Sequence, residues 1–318
     1  MDDALQVPAR PVPLPASISQ EARTFLAWLM ANPLPPRPAT TDAAAWRAAT
    51  AAADAGMVAM MAPRCAELGL QHEQATFGDT PTYIIRPKGA PAGRVYLDFH
   101  GGGLTSGGGE ATRLMGCLSA VRTGIETYAV DYRMPPDHPY PAALDDAIAA
   151  YRALVERFGA ERIVIGGISA GGNIAAGLVL RARDEGLPLP AGLVLLTPEV
   201  DLTESGDSFQ TNRYVDLMLP QGLAVANQLY AGGHDLAHPY LSPLFGDFTK
   251  GYPRTFLQAG TRDLFLSNTV RMHRALLKAG IPVELHIFEG MPHGGFGGAP
   301  EDEELDTAVR AFIASCWR

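Results

Sequence analysis

Residues 163–180 constrain this chain more than any other stretch. Ile163-Val164-Ile165 opens as a β-branched run, and Gly166-Gly167-Ile168-Ser169-Ala170-Gly171-Gly172-Asn173 surrounds one serine with glycine. Ile174-Ala175-Ala176-Gly177-Leu178-Val179-Leu180 then continues as an apolar helix. Strand, tight turn and buried helix in immediate succession are the context that a Gly-x-Ser-x-Gly nucleophile elbow requires. Glycine two residues either side of Ser169 lets strand and helix approach, because a β-carbon at either place would clash. Such a turn lifts the serine hydroxyl clear of the backbone and aims the first N–H groups of the helix at whatever the hydroxyl attacks. Alone, the motif also fits an ordinary glycine turn, so the rest of the chain decides its meaning.

Around this stretch, strands alternate with helices. Segments 83–85, 95–99, 127–130, 193–196, 255–258 and 283–288 read as strands, and 141–158, 268–278 and 303–317 as helices. Short strands that are apolar throughout predict a mostly parallel sheet covered on both faces. In such an α/β sheet the site lies at the carboxyl ends of the strands. Two regions fall outside the alternation. Residues 1–70 begin as a proline-rich, loose arm and then predict two helices, 18–30 and 41–68, carrying Phe25, Leu26, Trp28, Leu29, Trp46, Met57, Met60 and Met61. Residues 201–250 are long for a connection between two strands and hold a further helix over 223–230. Long insertions of this kind are usually functional. We expect 1–70 to form a helical cap segment, aided by the 201–250 insertion, over a catalytic domain spanning 71–318.

Bulk properties narrow the partners. A net charge of -9 argues against nucleic acid and anionic membrane. No apolar stretch approaches the ~20 residues of a membrane span. The start of the chain lacks the basic and apolar regions of a signal peptide, which predicts a cytoplasmic protein. Cys65, Cys117 and Cys316 are widely spaced, with no zinc-binding pattern, and read as incidental thiols.

Chemistry gathers at the predicted strand ends. His100-Gly101-Gly102-Gly103 directly follows the strand ending at Phe99. Successive glycines expose backbone N–H groups that can hold a negative oxygen developing on a carbonyl. A glycine-rich loop of this type ahead of the elbow is the esterase arrangement. A serine hydroxyl needs a base to take its proton. Of eight histidines, His293 alone follows a late strand within a glycine loop, Met291-Pro292-His293-Gly294-Gly295-Phe296. The base needs a carboxylate to fix its tautomer. Asp263, after the strand at 255–258, is the leading candidate, and Asp201, also at a strand end, competes with it. The order Ser169, Asp263, His293 is the one expected when a Gly-x-Ser-x-Gly elbow sits on this type of sheet.

Taken together, His100-Gly101-Gly102-Gly103, Asp131-Tyr132-Arg133, Pro139-Tyr140-Pro141-Ala142-Ala143, Ser169-Ala170-Gly171-Gly172-Asn173, Asp263 and His293 resemble the hormone-sensitive-lipase-like branch of the α/β-hydrolases, the bacterial family IV esterases. The segments 268–273 and 291–296 are similar to members described as monoterpene ε-lactone hydrolases. The resemblance implies an α/β-hydrolase fold with a helical cap. It implies oxyanion donors at the N–H groups of Gly102, Gly103 and Ala170, with His100 bracing the glycine loop and Asp131 and Arg133 as structural supports. It also implies a homodimer. This chain departs from the family pattern at Ile168, where aspartate is usual, in the extra glycine of His293-Gly294-Gly295-Phe296, and in Met134-Pro135-Pro136-Asp137. The expected activity is that of a serine carboxylesterase on a small ester or lactone of short to medium chain, with no metal and no organic cofactor. An amidase or acyltransferase would use the same triad, and a non-catalytic receptor on this fold would lose one of its members.

Overall fold

The apolar runs become the centre of one eight-stranded sheet in the computed structural model, which describes residues 5–39 and 41–317. The first four residues of the N-terminal arm lie outside that range. In chain order the strands are β1 (Gln71–Phe77), β2 (Thr80–Arg86), β3 (Val95–Phe99), β4 (Glu126–Val130), β5 (Ile163–Ile168), β6 (Gly192–Leu196), β7 (Thr255–Gly260) and β8 (Val283–Phe288). Their spatial order is β1-β2-β4-β3-β5-β6-β7-β8. β1–β2 and β2–β4 pair antiparallel, and the remaining neighbours pair parallel. Every residue of β3, β6 and β7 is buried, as strands covered on both faces demand.

Crossover helices supply that cover. On one face α4 (Ala142–Phe158), α5 (Ala170–Asp184) and α8 (Leu266–Lys278) pack on Leu97, Ile165, Leu195 and Leu257. On the other, α9 (Pro300–Ser315) sets Leu305, Val309 and Phe312 against Val164, Val194 and Phe256. Burying one such large apolar side chain stabilises the fold by about 1.5–3 kcal/mol.

The structure adds two elements that periodicity did not mark. β1 is a polar edge strand, held by its hairpin with β2. A helix over Glu110–Thr123, α3, buries Ala111, Leu114, Cys117 and Ala120. Small residues dominate this face because the helix sits very close to the sheet. A β-carbon on Gly116 would stand 2.6 Å from both Ala129 and Ile85 side chains.

The N-terminal region forms α1 (Gln20–Ala31) and α2 (Ala43–Leu68). Ser19 caps α1 by accepting from the Ala22 N–H, and Asp42 caps α2 by accepting from the Ala45 N–H. α2 ends at Gly69, whose left-handed φ of 56° closes it. The arm before α1 is tied down where a loose one was expected: Arg262 donates to the Pro13 carbonyl at 2.6 Å and Arg23 to that of Pro15 at 2.5 Å. The two halves of α2 also do different things. Trp46, near its start, packs on Leu264, Phe265, Leu219 and Leu223. Met61 and Cys65, near its end, pack on Ile85, Ala129 and Leu114, covering the sheet and α3. Trp28 and Met60, two of the large apolar residues these helices carry, face solvent. Segment 201–251 is long, with only α6 (Ser208–Thr211), α7 (Ala224–Ala231) and two single turns as regular structure.

Candidate active site

Ser169 sits between β5 and α5 with a left-handed φ of 59°. A non-glycine residue in that region stores roughly 1–3 kcal/mol of strain, which the surrounding structure must hold. Close packing does so here. A β-carbon on Gly171 would stand 1.9 Å from the Phe99 carbonyl oxygen, and one on Gly167 would stand 2.3 Å from the Gly171 carbonyl. The Ser169 N–H donates to the Leu196 carbonyl at 2.9 Å, locking the turn to β6.

The structure brings together the three side chains singled out at strand ends. Ser169 Oγ lies 2.8 Å from His293 Nε2, and His293 Nδ1 lies 3.1 Å from Asp263 Oδ1. All three are buried. Asp263 is fixed by the Phe265 N–H, which donates to the same Oδ1 at 2.8 Å. Phe265 also meets the His293 ring edge-on, with centroids 4.8 Å apart. Burial opposes charging of His293. The neighbouring Asp263, by charge and hydrogen bond, and then Asp216 and Glu199 outweigh it and hold the imidazole above its ordinary value of 6.5. Asp201 is elsewhere. Its carboxylate pairs with Arg271 Nη1 at 2.6 Å and accepts from Thr203 and Ser205, closing its own loop.

The glycine loop after β3 runs alongside the elbow. A β-carbon on Gly101 would stand 3.4 Å from that of Ser169. Gly102 and Gly103 have φ of 132° and 62°, and a side chain at Gly102 would strike the Ser106 carbonyl at 1.9 Å. Among the described residues, the N–H groups of Gly102, Gly103 and Ala170 donate to no protein acceptor. His100 is buried, stacks on Tyr132 with centroids 4.1 Å apart, and places Nδ1 2.8 Å from the Gly101 carbonyl. Burial pushes its imidazole down to about 4, so at neutral pH it is uncharged and Nδ1–H donates to that carbonyl. Asp131 accepts from the Gly109 N–H and Thr112, and Arg133 pairs with Asp146 of α4 at 2.7 Å.

The alpha/beta hydrolase fold family model matches residues 96–296. The chain belongs to the α/β-hydrolase family. The acetyl-hydrolase of Streptomyces hygroscopicus is 34% identical to it over 69% of this chain and 73% of that protein. A crystallised esterase superposes with a TM-score of 0.89 at 33% identity, covering 99% of both chains. A crystallised esterase from the bacterial hormone-sensitive lipase family superposes at 0.79 with 28% identity, over 94% of this chain and 99% of that one. Within the α/β-hydrolases, the chain belongs to this hormone-sensitive-lipase-like branch.

Three residues at this α/β-hydrolase site carried no sequence signal. Asp216, inside the insertion, is fully buried and accepts from the N–H groups of Leu264 at 2.7 Å, Met218 at 3.0 Å and His293 at 3.4 Å. It ties the insertion to the loops carrying Asp263 and His293. Burial, with the charge of Asp263, pushes its carboxyl up to about 6. Glu199 follows β6, and Arg37 enters from the proline-rich segment before α2. A pocket of about 160 Å³ opens beside the glycine loop, lined by Gly102, Arg37, Leu34, Trp46 and Met218. Among the described residues no cluster of three His, Cys, Asp or Glu side chains is placed to hold a metal ion. No helix among them is long and apolar enough to cross a membrane.

Proposed function

We propose that this α/β-hydrolase is a serine carboxylesterase acting on short- to medium-chain esters or lactones. The single observation that carries the reading is the continuous chain from Ser169 Oγ through His293 to Asp263, at 2.8 and 3.1 Å. His293 takes the Ser169 proton as Oγ attacks the ester carbonyl, and Asp263 holds the imidazole with Nδ1–H toward itself and stabilises its cation. The oxyanion that forms is received by the unpaired N–H groups of Gly102, Gly103 and Ala170. Removing one such donor costs roughly 3–4 kcal/mol of transition-state stabilisation. His293 returns the proton to the leaving alcohol, and water then cleaves the acyl-enzyme by the same route. His100, neutral and stacked, braces the glycine loop.

The arm, α1, the start of α2 and the 201–250 insertion act as a cap. Leu26 and Leu29 of α1 pack on Met291 and Phe296, either side of His293 in its loop. Trp46 packs on Leu264 and Phe265, next to Asp263. A fluorophosphonate probe tests the central claim, because it labels only an activated serine. Wild-type protein is expected to be labelled at Ser169 and to hydrolyse p-nitrophenyl butyrate. Ser169→Ala should lose labelling and about 10⁴-fold or more in kcat. Retention of a tenth of the activity in Ser169→Ala would sink the assignment.

A further inference from the structure

The turn that carries the oxyanion donors is strained, and helix α2 grips it. Gly102, Gly103 and Leu104 all have positive φ, of 132°, 62° and 60°. A leucine keeps such an angle only where its surroundings enforce it. Part of that enforcement comes from one face of α2. Trp46, Thr50 and Asp54 stand four residues apart, the spacing that stacks side chains one helical turn above another. Trp46 anchors the start of this face among apolar side chains. One turn on, Thr50 Oγ1 donates to the Thr105 carbonyl at 2.9 Å. A further turn on, Asp54 Oδ1 accepts from the Gly107 N–H at 2.6 Å. The segment so held has no room to slide toward the sheet, because a β-carbon on Gly107 would stand 2.5 Å from His100 Nδ1 and 2.6 Å from the Gly101 carbonyl oxygen.

These bonds act on the peptide groups that aim the Gly103 N–H. A trans peptide group is planar and rigid, with its carbonyl and its N–H pointing opposite ways. The Thr105–Ser106 peptide is trans and is held at both ends: its carbonyl takes the Thr50 hydroxyl, and its N–H donates to the Gly102 carbonyl at 3.1 Å. That carbonyl belongs to the Gly102–Gly103 peptide, also trans, whose other end is the Gly103 N–H. Fixing the carbonyl therefore fixes where the N–H points. Ser106 Oγ at 2.9 Å and the Thr105 N–H at 3.3 Å donate to the same carbonyl. Asp54 fixes the next peptide, Ser106–Gly107, by its N–H. Hydrogen bonds joined in series also polarise one another. We propose that Thr50 and Asp54 are positioning residues that aim the Gly103 N–H at the developing oxyanion, so that α2 sets the rate of the chemical step as well as covering the pocket. A cover needs only apolar contact of the kind that Trp46 makes, which has no preferred direction. Two polar side chains, one helical turn apart and bonded to the main chain of one three-residue segment, specify an orientation.

This role rests on the serine-esterase reading, so the test separates the two. For each variant, kcat and KM on p-nitrophenyl butyrate are measured beside thermal melts and the inhibition constant of butylboronic acid. The tetrahedral adduct of that acid on Ser169 offers an oxygen to the same N–H groups. Asp54→Ala should lower kcat by about tenfold to a hundredfold, since displacing a catalytic group by ~1 Å costs up to about a hundredfold. KM should change by less than about threefold, and the boronic acid should weaken by the factor that kcat loses, the signature of an interaction made only in the transition state. Asp54→Asn keeps an acceptor oxygen at the same place and should restore most of the rate. Thr50→Val, nearly the same shape without the hydroxyl, should lower kcat severalfold with the same signature, which keeps the proposal testable if Asp54→Ala does not fold. If the folded variants keep kcat and boronic-acid inhibition within about twofold of wild type, or change KM alone, α2 is only a cover and the proposal falls. It falls too if Asp54→Asn loses as much as Asp54→Ala. A wild-type protein that neither hydrolyses the ester nor is labelled by a fluorophosphonate overturns the esterase reading itself, and the positioning role goes with it.

Discussion

Asp263 and Asp201 are both fully buried and both follow a strand, yet only Asp263 reaches His293. Asp263→Asn should therefore cost about 10⁴-fold in kcat, as loss of the tautomer-fixing carboxylate does in other triads. Asp201→Asn should leave the chemistry largely intact and act through stability, because it weakens the Arg271 pair and the bonds from Thr203 and Ser205. Steady-state kinetics beside thermal melts separate the two, and activity lost only in Asp201→Asn would exchange their roles. The acid limb of the pH profile is a second outcome at this scale. As the proposed base, His293 takes a proton only when neutral, and burial opposes its charging while Asp263, Asp216 and Glu199 outweigh burial and hold its value above 6.5. Activity should thus be complete at high pH and fall as pH drops through a midpoint above 6.5, read from kcat/KM between pH 5 and 9. A midpoint below 6.5 would contradict this balance of charges. The residues in these arguments were not equally visible in the sequence. Ser169 and Asp263 were legible because each stands just beyond an apolar strand, His293 because it lies in the glycine loop after the last strand, and the parallel sheet aligns those ends. Asp216, Glu199 and Arg37 were not, because they reach the site from irregular segments whose course depends on packing and leaves no periodicity.

The elbow is held by contact between elements, and its glycines make that contact possible. Gly171→Ala would drive a methyl group to 1.9 Å from the Phe99 carbonyl oxygen and 2.6 Å from that of His100. Since neither β3 nor α5 can retreat from a buried core, the change should cost about 3 kcal/mol or more and disturb the glycine loop as well. Gly56 is the contrast. It lies in α2, exposed, with nothing within 4 Å of where an added methyl group would stand and no left-handed backbone angle. Gly56→Ala should raise stability by about 0.5–1 kcal/mol through helix propensity alone. Denaturant melts of both variants check the pair, and equal effects would mean that the close approach at the elbow does not matter. The same physics explains which elements could be read in advance. β3, β5, β6 and β7 are buried on both faces, so their apolar runs stand out. β1 is polar because one edge faces water, and α3 hides its pattern in alanine, cysteine and glycine because the sheet lies so near.

At the scale of the whole molecule, the N-terminal seventy residues divide into two parts with different duties. The arm and α1 rest on the loop that carries His293, through Leu26, Leu29, Met291 and Phe296, and Ser19 is bound to Glu301 of α9 at 2.6 and 2.8 Å. The end of α2 rests on the outer sheet, where Met61 and Cys65 cover Ile85, Ala129 and Leu114. A truncation that removes residues 1–38 therefore strips the arm and α1 from the proposed cap, together with Arg37, but leaves the sheet covered. It should remain soluble with its circular dichroism largely preserved, and it should lose preference among p-nitrophenyl esters of different chain length. Turnover should fall too, because water enters and the substrate is no longer held in position. Removing residues 1–69 goes further and uncovers an apolar surface on strands β2 and β4 and on α3. Exposed apolar patches of that kind drive association, so the longer truncation should aggregate where the shorter one does not. Sedimentation of both proteins and a chain-length series on the shorter one decide the matter. If the shorter truncation is soluble and keeps the wild-type chain-length preference, α1 and the arm stabilise the His293 loop without shaping the pocket, and the cap is reduced to the insertion and the start of α2.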